Sequence, residues 1–219
     1  MKSLTLSILV LLAAHQVAEA APPRVGNGGG VWTCEDRNTK NIRWLRFVDL
    51  FEAENEFGLK IANQQGGPWE VLNDKLIEIS RVSPNLDRLL QAHPVFFDEV
   101  IHFLPKSSGL TVIEDAEIRV RPLPETCEDG YLYYGQLANF TFDGRLLISS
   151  KYWKDPSFTD LERAALLVHE AVYKALREGM GDKNSSRVRQ IVGILFSNLS
   201  DSQKSGKIDA VLMHECPRE

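Results

Sequence analysis

Leu166-Leu167-Val168-His169-Glu170-Ala171-Val172-Tyr173 sets a histidine and a glutamate side by side in an apolar stretch, with a tyrosine four residues after the histidine. The periodicity around it is helical. At about 100° per residue, Leu161, Ala165, Val168, Val172 and Leu176 fall on one arc and form a core-facing stripe. His169 lies at the margin of that stripe beside Glu162 and Tyr173, and Glu170 points roughly opposite it. Leu166 and Leu167 cover the remaining sides of the first half, so that half is expected to be enclosed nearly all round. Thr159 or Asp160 can cap the helix, Glu162 stands in its first turn, and Gly179 or Gly181 can end it. A glutamate emerging from an enclosed helix next to a histidine is what a buried polar site requires.

Upstream of the helix, Leu132 to Phe142 and Leu146 to Ser149 flank Asp143-Gly144, a strong hairpin turn signal. The expected hairpin feeds directly into the helix. Before it, past Ser107-Ser108-Gly109, the signal changes to alternation, with Ile118 and Val120 between charged residues. Earlier still, Trp69, Leu72, Leu76 and Ile79 recur at helical spacing up to Pro84, and Leu86, Leu89 and Leu90 continue in a second helix. A third apolar stretch, Val95 to Leu104, ends at Pro105, and the middle of the chain is expected to be mainly helical. Val31 to Thr33 and Arg43 to Val48 fit short strands, and Leu50 to Glu56 a helix that stops at Gly58. After the central helix, Val188, Ile191, Val192, Leu195 and Leu199 form the apolar stripe of a last strong helix, followed by a weaker helical tail from Ile208 to Met213. The fold class expected is α+β: a helical first half, then a small antiparallel sheet packed with a central helix and C-terminal helices.

Met1 to Ala20 has the layout of a secretory signal peptide. Lys2 supplies the positive start, Leu4 to Ala14 the short apolar region and Ala18-Glu19-Ala20 the small-residue cleavage pattern. A secreted or periplasmic protein is therefore expected, with residues 21–30 as a flexible Gly/Pro leader and 31–219 as one globular domain. The mature length of about 200 residues suits a single domain that buries roughly 70% of its unfolded surface. Removing the signal takes one lysine and one glutamate, so the net charge of −5 is unchanged. A mildly acidic chain without a run of Lys and Arg gives no support to nucleic-acid or anionic-membrane binding. No stretch after the signal is long and apolar enough to span a bilayer.

Of the three cysteines, Cys34, Cys127 and Cys216, an oxidising compartment allows one bridge with one thiol left over. Spacing leaves all three pairings open. Cys216 lies in a polar tail while the other two flank structured segments, which favours Cys34 with Cys127. Such a long loop would gain roughly 4 kcal/mol in the chain-entropy model.

The pattern His169-Glu170-x-x-Tyr173, following a hairpin, resembles the H-E-x-x-H helix of zincin metallopeptidases, in which two histidines bind zinc and the glutamate activates water. That resemblance implies His169 as a metal ligand and Glu170 as general base of a hydrolase. The chain departs from it at Tyr173, because a phenol with a pKa near 10 ligates zinc only when deprotonated. No third ligand is marked by spacing. Read from the residues alone, Glu162, His169 and Tyr173 form a structural polar cluster in which buried polar groups pair with one another. A wider set, Cys127, Gln136-Leu137-Ala138, Leu146 to Ser149, Ala164-Ala165-Leu166, the His-Glu-x-x-Tyr helix and Ser186-Arg187-Val188-Arg189, resembles an uncharacterised family of secreted proteobacterial proteins. This second resemblance implies export and one fold, and no catalytic residue.

Other constellations carry less. Arg187 and Arg189, at the start of a helix, suit an anion, though Arg187 paired with Asp182 is the ordinary alternative. His93 and His102 have no standard metal spacing. Trp32, Trp44, Trp69 and Trp153 with Tyr131, Tyr133, Tyr134 and Tyr152 are amphipathic aromatics that can line a glycan or peptide groove or the core margin. The expectation is a non-enzymatic binding or structural envelope protein, with an unknown protein or envelope ligand as partner and no cofactor. The alternative is a zincin-like, zinc-dependent hydrolase. Sequence leaves oligomeric state open.

Overall fold

A computed structural model of the chain describes residues 29–112 and 127–213. The expected signal segment, residues 21–28 of the leader, the alternation at Ile118 and Val120, and Cys216 lie outside the described residues. Two short strands open the fold, β1 (Gly30–Asp36) and β2 (Ile42–Phe47), and β2 runs straight into helix α1 (Val48–Asn55). Helices α2 (Pro68–Val82) and α3 (Pro84–Ala92) follow, each with proline in its first turn, where the missing N–H costs no helical hydrogen bond. A single turn, α4 (Phe97–Val100), leads into strand β3 (Ile101–Leu104). Strands β4 (Gly130–Gln136), β5 (Ala138–Phe140) and β6 (Leu146–Ser149) then lead through the turn α5 (Ser150–Trp153) to α6 (Asp160–Met180), α7 (Ser186–Phe196) and α8 (Asp201–Met213).

Among the described residues the α+β architecture contains two small sheets. One is wholly antiparallel, in the order β2-β1-β4, and the other is mixed, in the order β3-β6-β5. The hairpin expected around Asp143-Gly144 is the β5-β6 pair, with Phe140 opposite Leu146. The stretch Val95 to Leu104, expected to be helical, gives one helical turn and then a strand. Its second half pairs parallel to β6, Ile101 with Leu146 through Leu104 with Ser149. That pairing, supplied by a partner more than 40 residues away in the chain, is a tertiary contact that local periodicity does not encode.

Gly29 and Leu137 join the two sheets. Leu137 N and Ala138 N both donate to Gly29 O, and Ser149 N donates to Leu137 O. The last residues of the glycine run are thus built into the fold, Gly30 as the first residue of β1. A side chain at Gly29 would run into Leu166 Cδ1 and come within 2.7 Å of Phe47 Cε2, so only glycine lets the backbone lie against α6. The disulfide Cys34–Cys127 ties β1 to the start of the β4 segment.

One apolar cluster runs through the molecule from Val31 to Ile208. α6 is at its centre, packed against α2, α3, α7 and β2. Its N-terminus carries a capping box: Thr159 Oγ1 accepts from Glu162 N and the Glu162 carboxylate accepts from Thr159 N. Gly181 closes the other end in the left-handed conformation at φ 77°, which L-residues with a Cβ resist. Between these ends, Ala164 to Tyr173 is buried without interruption.

Candidate functional site

The polar residues of α6 sit inside the core. Glu170 is wholly buried and His169 is 1% exposed. Glu170 Oε1 accepts from Gly29 N at 2.8 Å, so the helix holds the entry of the chain into β1. Its second oxygen has no hydrogen-bond partner among the described residues. Burial pushes the Glu170 carboxyl up to about 7; the neighbouring His169 and the Gly29 N–H pull the other way and do not overcome it.

His169 turns to α1. Its Nδ1 lies 2.7 Å from Asp49 Oδ2, a distance at which an Nδ1–H donates to an ionised Asp49. The imidazole is held between two aromatic rings, Phe47 edge-on at 5.9 Å between centroids and Tyr173 stacked at 6.2 Å. Tyr173 therefore packs on the histidine face, one helical turn along.

A buried ion pair joins α1 to α7. Arg189 Nε donates to Glu52 Oε2 at 2.8 Å, and Arg189 Nη1 donates to Ser185 Oγ at 3.0 Å. Burial raises the Glu52 carboxyl to about 7 even with the arginine beside it, and Asp49 adds to the rise. Asp49 and Glu52 are three residues apart on α1, one facing α6 and the other α7. Gly29, α1, α6 and α7 are consequently joined by hydrogen bonds among groups nearly free of water contact.

The structure divides the residues singled out from sequence. His169, Tyr173 and Glu170 are together in the core. Glu162 is two turns away at the start of α6, where it completes the cap, accepts from Phe47 N at 3.2 Å and lies 3.4 Å from Arg46 Nε. Cys34 and Cys127 are bridged. Arg187 pairs with Asp182, and Arg189 faces Glu52 instead of an external anion. His93 bonds Glu178 at 3.1 Å, while His102 is exposed on β3. Asp49, Glu52 and Gly29 belong to the site without matching any motif in the sequence. A signal for the first two existed: charges spaced i, i+3 within Val48–Ala53, a segment buried on every side.

Chemically, the site can hold protons and fix helices. Among the described residues, no group of three His, Cys, Asp or Glu side chains is placed to hold a metal ion. Comparison of the chain with known protein families, with curated proteins and with solved structures finds no match.

Proposed function

We propose that this chain is an exported, non-enzymatic protein that binds or supports a partner in the envelope or outside the cell, and that His169 and Glu170 fix its core. The observation that carries this reading is the complete enclosure of Glu170, with one oxygen committed to the Gly29 N–H. A general base works within hydrogen-bond reach of the proton that it abstracts, and the enclosure of Glu170 together with its bond to Gly29 N supports a structural role for it instead. Export is supported by the signal-like Met1 to Ala20 and by the Cys34–Cys127 bridge, since such bridges persist in oxidising compartments. No helix among the described residues is long and apolar enough to cross a membrane.

A zincin-like hydrolase is the second reading, and one arrangement favours it. A carboxylate on one ring nitrogen, as Asp49 is on His169, also orients histidines that bind metal through the other. Zinc determination on the mature protein, purified without a histidine tag alongside His169→Ala, separates the two. The non-enzymatic reading expects no stoichiometric zinc in either protein and a marked loss of stability in the variant. One zinc per chain, lost in His169→Ala, would defeat the non-enzymatic reading.

A further inference from the structure

The helix α8 is held to the molecule by charge more than by apolar area. Of its 13 residues only Lys204 and Ile208 are buried, with Val211 and Leu212 half-buried against the core. α7, two residues shorter, buries Val188, Ile191, Val192, Ile194, Leu195 and Phe196. The chain between the two helices is pinned as far as Asn198, whose N–H donates to Lys60 O at 2.9 Å beside the bridge of Ile61 with Ser197. α8 then starts with a cap of its own, in which Gln203 Oε1 accepts from Ser200 N at 3.0 Å. The joint between pinned chain and capped helix is the pair Leu199-Ser200.

Where α8 meets α2 and the end of α7, two lysines converge on one carboxylate and one carbonyl. Lys75 Nζ donates to Glu78 Oε2 at 2.7 Å and to Leu195 O at 2.9 Å. Lys204 Nζ donates to Glu78 Oε1 and to Leu195 O at 3.0 Å. Both lysines are 5% exposed, and among the described residues Glu78 is the only carboxylate bonded to either ammonium. The docked helix therefore buries two cations against one anion. Burial pulls the Lys75 ammonium below its usual range; Glu78 opposes the fall, Lys204 adds to it, and exposed Asp74 opposes it least. With α8 away, a neutral Lys75–Glu78 pair would remain on Leu195 O, and Lys204 would regain its water. A surplus buried charge costs free energy that this separation recovers.

We propose that α8 is a reversibly docked helix, which swings about Leu199-Ser200 and opens the seam between α2 and α7 while the rest of the fold stays closed. Ile208, Val211 and Leu212 favour the docked state, and the surplus charge of Lys204 opposes it. The exposed Arg81–Asp201 pair and the 3.4 Å bond from Arg187 Nη1 to Leu212 O add little. Once released, a 13-residue helix with Gly206 in its middle does not keep its backbone hydrogen bonds in water. This goes beyond the reading of the chain as a binding protein and does not rest on it.

Native-state hydrogen exchange of the mature chain, read peptide by peptide in a mass spectrometer, tests the proposal. In the wild type the amides of α8, corrected for their intrinsic rates, are expected to exchange at least about 100-fold faster than the buried amides of α6 and α7. Lys204→Met removes the surplus cation, keeps an apolar stem and leaves Lys75, Glu78 and Leu195 O bonded to one another. It is expected to slow α8 exchange by about tenfold, because replacing the surplus buried charge favours the docked state. Exchange of α8 in step with α6 and α7 in the wild type would overturn the proposal, as would unchanged or faster α8 exchange in Lys204→Met.

Discussion

Glu170 is a carboxyl that the fold keeps out of water, and its effect on stability has a definite sign. An ordinary glutamate titrates near 4.5, and burial raises Glu170 to about 7. Between those values the folded chain holds more protons than the unfolded chain, so this group's contribution is greatest below pH 4.5 and is lost as pH rises through about 7. Glu52 acts in the same direction. Unfolding measured at pH 5 and pH 8 should show the wild type losing stability with rising pH and Glu170→Gln losing less, by on the order of 3 kcal/mol; equal losses would contradict the assignment. At the strap itself, Gly29→Ala meets Leu166 and Phe47 and should cost about 1–3 kcal/mol in denaturant titration, whereas a neutral effect would mean that the close approach is not maintained. The burial of Glu170 was legible from the helical wheel, because Leu166 and Leu167 cover the sides that the main stripe leaves open. Its partner was not. Gly29 sits 141 residues away within a glycine run that reads as flexible, and nothing local marks one glycine as packed.

At the scale of elements, the capping box of α6 shows how local chemistry fixes a long helix. Thr159→Ala removes the acceptor for Glu162 N and should lower stability by about 1 kcal/mol, read as a shift in the unfolding midpoint with an unchanged slope. Residual stability equal to wild type would show that Glu162 holds the end through Phe47 N and Arg46 alone. Cap, hairpin turn and C-terminal glycine were all readable because each depends on residues within one turn of one another. β3 was not readable. Ile101, His102, Phe103 and Leu104 follow a helical turn without a break signal, and they become a strand only because β6 offers a parallel edge. The partners Asp49 and Arg189 illustrate the same limit: each was visible as a charge among apolar residues, but which helix each one faces depends on how α1, α6 and α7 pack.

For the whole molecule, the disulfide and the buried network both hold distant segments together. The bridge closes a separation of 93 residues, so reduction, or Cys34→Ala with Cys127→Ala, should cost about 4–5 kcal/mol in the chain-entropy model. A reduced protein as stable as the oxidised one would mean that the loop is already constrained in the unfolded state. The network differs in that it works through buried charge: removing one partner leaves the other desolvated, which is more damaging than losing the pair. The reading of His169 as a fixing residue of the core is therefore tested most directly by a double-mutant cycle of Asp49→Ala and His169→Ala, followed by equilibrium unfolding. Each single variant should lose about 3 kcal/mol or more, and the double variant much less than the sum, giving a coupling of roughly 2 kcal/mol. Two small losses that add would contradict the claim that this pair holds α1 against α6.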